Sequence, residues 1–116
     1  MKKTFLKNKK NIQFLIIGLG LIGGSVAKRL SKNGFEILAI EKNKSHLNYA
    51  KKSKILNGGL EKIDSAKKLF VIVALPPKIL LRNFDKYLDL FHKADFVTDC
   101  TSAVSYTHLT LPTRLP

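Results

Sequence analysis

The chain has 116 residues, of which 45% are hydrophobic, and it carries 21 Lys and Arg against 8 Asp and Glu, a formal net charge of +13. This length excludes more than one domain of common size, while the apolar content is sufficient for a packed core. The positive charge favours polyanions, but it comes mostly from lysines spread over predicted helix faces and loops, so we expect a solvated lysine-rich surface and no nucleic-acid partner. One cysteine, Cys100, excludes an internal disulfide and indicates a reducing, cytoplasmic setting.

The first 27 residues have the outline of a secretory signal: a basic leader at residues 1–11, an apolar stretch and small residues at its end. Glycines at positions 18, 20, 23 and 24 would weaken a leader helix by about 1 kcal/mol each relative to alanine. An amphipathic pattern also continues beyond Ala27. We therefore expect residues 12–27 to belong to the folded protein, and we expect no membrane association, since no other stretch is long enough to cross a bilayer.

Apolar periodicity predicts alternating strands and helices. Residues 12–17 form a continuous apolar run interrupted only by Gln13, which is typical of a strand buried on both faces. A helix follows the glycines, with Ile22, Val26 and Leu30 on its inward face and Gly34 as its left-handed stop. Residues 35–40 form a second strand. The predicted unit is strand, glycine turn, helix, strand.

The pattern then repeats less regularly. Asn43 or Ser45 can cap a short helix, residues 55–56 can form only a brief third strand, and residues 69–75 are the most strand-like segment of the chain. Pro77 suits the first turn of a helix, whose apolar stripe runs on to Phe91, and residues 96–98 begin another strand. Strands alternating with helices predict an α/β fold with a parallel, doubly wound sheet.

Gly18, Gly20 and Gly23 have the spacing Gly-x-Gly-x-x-Gly and lie between a predicted strand and a predicted helix, where a dinucleotide-binding turn requires them. Gly18 would permit the tight turn, Gly20 would leave room for a pyrophosphate, and Gly23 would let the helix approach the strand. The free amides at the start of the helix would then face the phosphates.

Glu41 strengthens this interpretation, because it lies 21 residues after Gly20, at the predicted end of the second strand. An acidic side chain at that point can accept hydrogen bonds from the adenosine ribose, which favours NAD over NADP. Lys42 and Lys44 leave NADP possible, since either could bind a 2′-phosphate. The alternative interpretation of Glu41 is a solvated loop carboxylate.

Four segments together carry a family resemblance: GLGLIGGS at 18–25, EKN at 41–43, VIVALP at 71–76 and VTDCTS at 97–102. They resemble the nucleotide-binding half of the prephenate dehydrogenase family, including its arogenate-using relatives. The resemblance spans residues 12–103 and implies an incomplete Rossmann-type dinucleotide-binding domain, truncated before the family's helical C-terminal domain for substrate and dimerisation. It implies that the parent enzyme is a homodimer that decarboxylates prephenate or arogenate oxidatively in tyrosine biosynthesis, passing hydride to NAD. This chain would be its inactive cofactor-binding fragment.

By this resemblance, the residues that contact the cofactor are Gly18, Leu19, Gly20, Leu21, Ile22, Gly23, Glu41, Lys42, Leu75 and Pro76. Ser102 matches a serine near substrate and nicotinamide, but Thr101 stands where the family has glycine, so a plain turn hydroxyl is an equal alternative. The family's catalytic histidine and its substrate-binding arginine have no match in this chain.

Residues 104–116 depart from every expected feature and can be back-translated into a transposase-type sequencing adapter, so we predict that they are not native. His108 lies in this tail and is therefore no catalytic candidate. His46 and His92 are expected to face solvent, and no metal site is expected. Two alternatives to a prephenate-type enzyme stay open, another Rossmann oxidoreductase, of the imine or β-hydroxyacid type, and a dinucleotide-binding module without catalysis; a basic nucleic-acid binder is a third, less favoured one.

Overall fold

The structure, a computed structural model, describes residues 9–100 of the chain. Strands and helices follow one another along this part, with single turns of 3-10 helix at Lys9–Asn11 and Leu60–Lys62. The elements are β1 (Ile12–Ile17), α1 (Leu21–Lys32), β2 (Glu36–Ile40), α2 (Lys44–Lys52), β3 (Lys68–Val73), α3 (Pro77–Arg82), α4 (Phe84–Lys93) and β4 (Phe96–Asp99).

The strands form one parallel sheet in the order β2-β1-β3-β4. The last residue of β1, Ile17, lies between Ile40 of β2 and Val73 of β3. Because the carboxyl ends of parallel strands meet at one edge, the loops that follow β1, β2 and β3 lie side by side. The predicted Rossmann-type α/β fold is confirmed, and this edge is where such folds bind ligands.

Helices cover both faces of the sheet. Leu15 of β1 is fully buried in a cluster with Leu80 of α3 and Leu90 of α4. The next residue, Ile16, points to the opposite face, where its cluster includes Ala27 of α1 and a residue of α2. Successive residues of a strand point to opposite faces, so the continuous apolar run of β1 serves two cores at once, as predicted.

The predicted glycine stop of α1 is confirmed. Gly34 has φ +87°, its amide donates to the Ser31 carbonyl at 3.0 Å, and the Phe35 amide donates to the Leu30 carbonyl at 3.2 Å. This pair of bonds satisfies carbonyls that the end of a helix otherwise leaves without partners. The stop fixes where β2 can begin.

The inward face of α1 differs from the prediction. Ile22 is 46% exposed, whereas Gly23 and Ala27 are buried and Val26 is half-buried. Gly23 contacts the glycine turn directly, which directs the row of positions 23 and 27 towards the sheet. Ile22 precedes Gly23 by about 100° of helical rotation, and it is therefore turned outwards.

The predicted third strand is also wrong. Residues 55–56 form no strand, and the outer edge of β2 instead meets a loop that makes one isolated bridge, between Leu38 and Gly58. Asn57 supports this loop, since its Oδ1 accepts the Ile37 amide at 2.8 Å. Gly58 has φ +157°, at the limit of the positive region that side-chain-bearing residues rarely adopt, and this loop geometry ends the pairing.

The predicted single helix after Pro77 is divided in two at Asn83. The Asn83 side chain donates to the Ile79 carbonyl at 2.8 Å, and its backbone lies at φ −110°, ψ 13°, outside the helical region. Asparagine side chains compete with the helix for backbone partners. The break separates α3 from α4.

The leader is attached to the fold at its end. Lys9 Nζ donates to the Asn33 carbonyl at 2.6 Å and lies 5.3 Å from the centre of the Phe35 ring. The 3-10 turn at Lys9–Asn11 therefore already contacts the domain. Residues 1–8 and 101–116 lie outside the described part. Within residues 9–100, no helix is both long and apolar enough to cross a membrane.

Candidate functional site

The turn after β1 is built so that Gly18 can be nothing but glycine. Its φ is +101°, and a Cβ there would lie 2.7 Å from the Ala74 carbonyl oxygen and 3.1 Å from Leu75 Cδ2. The Gly18 amide donates to the Ile40 carbonyl at 2.9 Å, which continues the pairing of β1 with β2. The task predicted for Gly18, a tight turn at the sheet edge, is confirmed.

Gly23 and Gly20 differ in what surrounds them. A Cβ on Gly23 would lie 1.8 Å from the Gly18 carbonyl oxygen and 3.0 Å from Ala74 Cβ, so Gly23 is what lets α1 approach the turn, as predicted. A Cβ on Gly20 would meet nothing within 4 Å among the described residues. Nothing in this part of the protein requires glycine at position 20. The space beside its backbone is open.

The first turn of α1 faces this open space. The Gly24 amide donates to the Gly20 carbonyl at 2.8 Å and thereby begins the helical pattern, but Gly20, the N-cap residue, has no side chain to cap the amides of the first turn. Leu21 and Ile22 flank the opening and are 89% and 46% exposed. Amides at the start of a helix that lack intrahelical partners, together with the helix dipole, suit an anion.

Glu41 is fastened to the glycine turn, an arrangement that the sequence did not reveal. Its Oε1 accepts the Leu19 amide at 2.5 Å and its Oε2 accepts the Asn43 amide at 2.8 Å. The side chain is only 12% exposed, so the alternative of a solvated loop carboxylate is wrong. Each carboxylate oxygen has two lone-pair sites, and therefore the group can accept further hydrogen bonds.

His46 is the neighbour that sequence reasoning missed. It lies in the first turn of α2, with Nδ1 4.0 Å from Glu41 Oε1 and its side chain 47% exposed. Asn43, the predicted cap, accepts the amides of Ser45 and His46 at 2.9 and 3.1 Å. This cap brings the imidazole back over the end of β2. A sequence signal for this contact was available: a histidine lies five residues after the acidic residue, with the N-cap of the next helix between them.

The other predicted residues lie along the same edge. Leu75 contacts the Gly18 position and Pro76 is exposed before α3, while Lys42 is exposed beside Glu41. Ser102 lies outside the described residues.

Cys100 follows β4 at this edge. Its amide donates to the Val73 carbonyl at 3.0 Å. Burial raises the pKa of the Cys100 thiol, and the neighbouring Asp99 carboxylate raises it further. The thiol form is therefore favoured at neutral pH, which argues against a nucleophilic role.

A cavity of about 1320 Å³ lies away from this edge, between the 3-10 turn at Leu60–Lys62 and α4. Its lining includes Ile63, Tyr87 and Leu90 but neither the glycine turn nor Glu41. Volume alone therefore does not identify the ligand site. Within residues 9–100, no group of three or more His, Cys, Asp or Glu could hold a metal ion.

Comparison with known proteins gives the family. Residues 14–73, just over half of the chain, match the TrkA-N domain. The chain belongs to the TrkA-N domain family. The match runs from β1 to the end of β3 and includes the glycine turn and Glu41, so the geometry described above lies inside the TrkA-N domain.

One curated relative of this TrkA-N domain is the Ktr system potassium uptake protein A of Bacillus subtilis (strain 168), 49% identical over 39 residues, which are 34% of this chain and 18% of that protein. Two solved structures share the fold of this chain. Synechocystis arogenate dehydrogenase has a TM-score of 0.65 at 20% identity, over 87% of this chain and 37% of that one. Prephenate dehydrogenase from A. aeolicus, solved with hydroxyphenyl propionate and NAD+, has a TM-score of 0.61 at 25% identity, over 89% of this chain and 38% of that one.

The predicted resemblance to prephenate and arogenate dehydrogenases is therefore confirmed. The chain nevertheless spans well under half the length of these proteins.

Proposed function

We propose that this chain is the cofactor-binding part of an NAD(P)-dependent dehydrogenase that acts on prephenate or arogenate in tyrosine biosynthesis. The observation that carries the proposal is the open space at Gly20, at the carboxyl edge of β1 and in front of uncapped amides of α1. A dinucleotide's diphosphate fits these features, because it needs close backbone approach and N–H donors but no cation.

Glu41 supplies the second part of the proposed site. A ribose whose hydroxyls donate to its carboxylate would lie beside the turn that binds the diphosphate, because the same carboxylate accepts the Leu19 amide. A negative charge at this point repels a 2′-phosphate, which favours NAD. Lys42 is exposed beside Glu41 and supports NADP as the weaker ligand.

The nicotinamide half of the cofactor would extend along the edge towards β3 and β4. Leu75 and Pro76 follow β3 there and would border the ring, and Ser102 would follow β4 on the substrate side. When bound, the cofactor accepts a hydride from the substrate ring as the carboxylate leaves as carbon dioxide. The domain's own residues bind and orient the cofactor, while the catalytic histidine and the substrate-binding arginine are expected in a helical domain that also forms the dimer.

A domain organisation follows from this proposal. Residues 12–103 would be the cofactor domain, preceded by the basic leader, and residues 104–116 would be non-native sequence. The cytoplasm is the expected setting, since the chain has a single cysteine.

A second candidate is a dinucleotide-binding module without chemistry. The match to a potassium uptake protein favours it, because that protein's name is not that of an enzyme. The two candidates share the cofactor site and differ in whether a substrate domain follows. The uninterrupted genomic reading frame after residue 103 separates them: a helical domain with a histidine supports the dehydrogenase, and the absence of both overturns it.

The cofactor site itself is tested by Gly20→Ala. The new methyl group meets no described atom and lies at negative φ, so the fold should be unaffected, while NAD+ affinity should fall by about tenfold or more through collision with the diphosphate. Isothermal titration of the full chain with NAD+ measures this. Gly24→Ala is the matched control, since its methyl group makes only an ordinary contact with the Leu19 carbonyl. Equal affinity of all three proteins would refute the proposed site.

A further inference from the structure

An ionisable side chain lies beside Glu41 at the end of β2. His46 Nδ1 lies 4.0 Å from Glu41 Oε1, and nearly half of the imidazole is exposed. Histidine side chains change charge between about pH 5 and pH 8. The proposed ribose-binding carboxylate therefore has, 4.0 Å away, a side chain of the type that can change charge in the pH range where enzymes work.

We propose that His46 determines cofactor specificity, its protonation shifting the preference from NAD towards NADP. This inference rests on the proposed function and adds a residue and a condition to it. Unprotonated His46 leaves the Glu41 carboxylate as a full negative charge that repels a 2′-phosphate. Protonated His46 offsets that charge and presents an N–H donor on the exposed side, where a phosphate would arrive.

The other charged groups at this corner do not vary over the same range. Lys42 precedes the Asn43 cap and Lys44 is the first residue of α2, and both lysines are exposed. Lysine and tyrosine side chains in general keep their charge state between about pH 5 and pH 8, and Tyr49 lies one turn after His46. The Glu41 carboxylate accepts two backbone amides.

Two backbone donors of α2 are already in use. The amides of Ser45 and His46 in its first turn are bound by Asn43 Oδ1 and are therefore not free to bind a 2′-phosphate. The His46 imidazole lies 4.0 Å from the Glu41 carboxylate. Its charge would therefore have the largest effect on whether a ribose hydroxyl or a 2′-phosphate binds there.

The test is isothermal titration of the full chain with NAD+ and with NADP+ at about pH 5.5 and about pH 8. The quantity compared is the ratio of the two dissociation constants. Because the 2′-phosphate itself takes up a proton near pH 6, the contribution of His46 is the difference between wild type and His46→Gln. We expect the relative affinity for NADP+ at the lower pH to be up to about fivefold higher in wild type than in His46→Gln, with no difference at the higher pH.

His92→Gln is the matched control, since His92 is exposed at the end of α4, a helix that packs against the sheet face opposite to the one covered by α2. It should behave as wild type. If His46→Gln keeps the wild-type pH dependence, or if His92→Gln loses it, the inference is overturned while NAD+ binding still supports the proposed cofactor site. If neither dinucleotide binds any of the three proteins, the proposed function fails and the inference fails with it. Circular dichroism at both pH values verifies that each variant is folded.

Discussion

Gly23→Ala is predicted to destabilise the fold strongly, although alanine is the better helix former by about 1 kcal/mol. The added Cβ would lie 1.8 Å from the Gly18 carbonyl oxygen, a separation that non-bonded carbon and oxygen never adopt. The first turn of α1 would therefore have to retreat by more than about 1 Å. That movement also lifts Ala27, which is 1% exposed, out of its contacts with the sheet.

The expected magnitude follows from these two effects. Overpacking a well-filled site costs about 1 to 3 kcal/mol, and loosening the contacts of α1 with β1 and β2 adds to it. We expect a net loss of about 3 kcal/mol in the free energy of unfolding, a large fraction of the 5 to 15 kcal/mol that is typical of domains. Urea denaturation followed by far-ultraviolet circular dichroism measures it.

Gly24→Ala provides the comparison at the adjacent position of the same helix. Its Cβ would lie 3.4 Å from the Leu19 carbonyl oxygen, so helix propensity should dominate and the variant should gain up to about 1 kcal/mol. A Gly23→Ala protein within about 0.5 kcal/mol of wild type, the range of ordinary surface substitutions, would refute the packing argument and with it the structural role assigned to Gly23.

Three further predictions concern stability. Lys54 has φ 57° after the end of α2, so Lys54→Gly should raise the free energy of unfolding by about 0.5 to 1 kcal/mol in urea denaturation, and a loss would contradict it. Gln13 is 1% exposed; its Oε1 accepts the Asp64 amide at 2.9 Å and its Nε2 donates to the Lys62 carbonyl at 2.8 Å. Gln13→Leu should therefore lower the free energy of unfolding by about 2 to 4 kcal/mol in the same assay. An unchanged stability would argue against these bonds. Burial, and then the charge of Glu41, raise the pKa of Tyr87 above its ordinary value of 10.0. Ionisation therefore opposes folding, and thermal stability should fall as pH rises through about 10, less steeply in Tyr87→Phe; equal slopes would contradict this.

Local chemistry made much of the fold predictable. The glycine spacing identified the turn after β1, and Gly34 identified the end of α1, because each position requires a backbone conformation or a clearance that other residues lack. Asn43 was one of two predicted caps, with Ser45, for the same kind of reason, and the structure shows that Asn43 is the cap. These signals depend on neighbours in sequence, so a single chain reveals them.

The errors arose where distant contacts decide. Ile22 was assigned to the core because its spacing fits an apolar stripe, but the orientation of α1 is set by Gly23 against Gly18, a contact that periodicity does not contain. The loop in place of a third strand likewise reflects a bond between residues distant in sequence, from the Ile37 amide to the Asn57 side chain. One error had a local cause instead: the helix divides at Asn83, whose side chain bonds the Ile79 carbonyl four residues earlier.

The site was predicted in outline but not in its connections. The sequence identified Glu41 as an acidic residue at a strand end, yet it gave no sign that the carboxylate binds the Leu19 amide, because that bond joins two loops across the sheet edge. His46 was expected to face solvent only. Its proximity to Glu41 depends on the path of the chain through the Asn43 cap.

The empty surroundings of Gly20 have a consequence for how such a sequence would change over evolutionary time. A lineage that stopped using its ligand would be free to acquire alanine or serine at position 20 without harming the protein, since no described atom stands in the way. Positions 18 and 23 would resist the same drift, because architecture alone maintains them. Among descendants that no longer bind the ligand, substitutions would thus appear first at position 20, while the glycines at positions 18 and 23 would be retained.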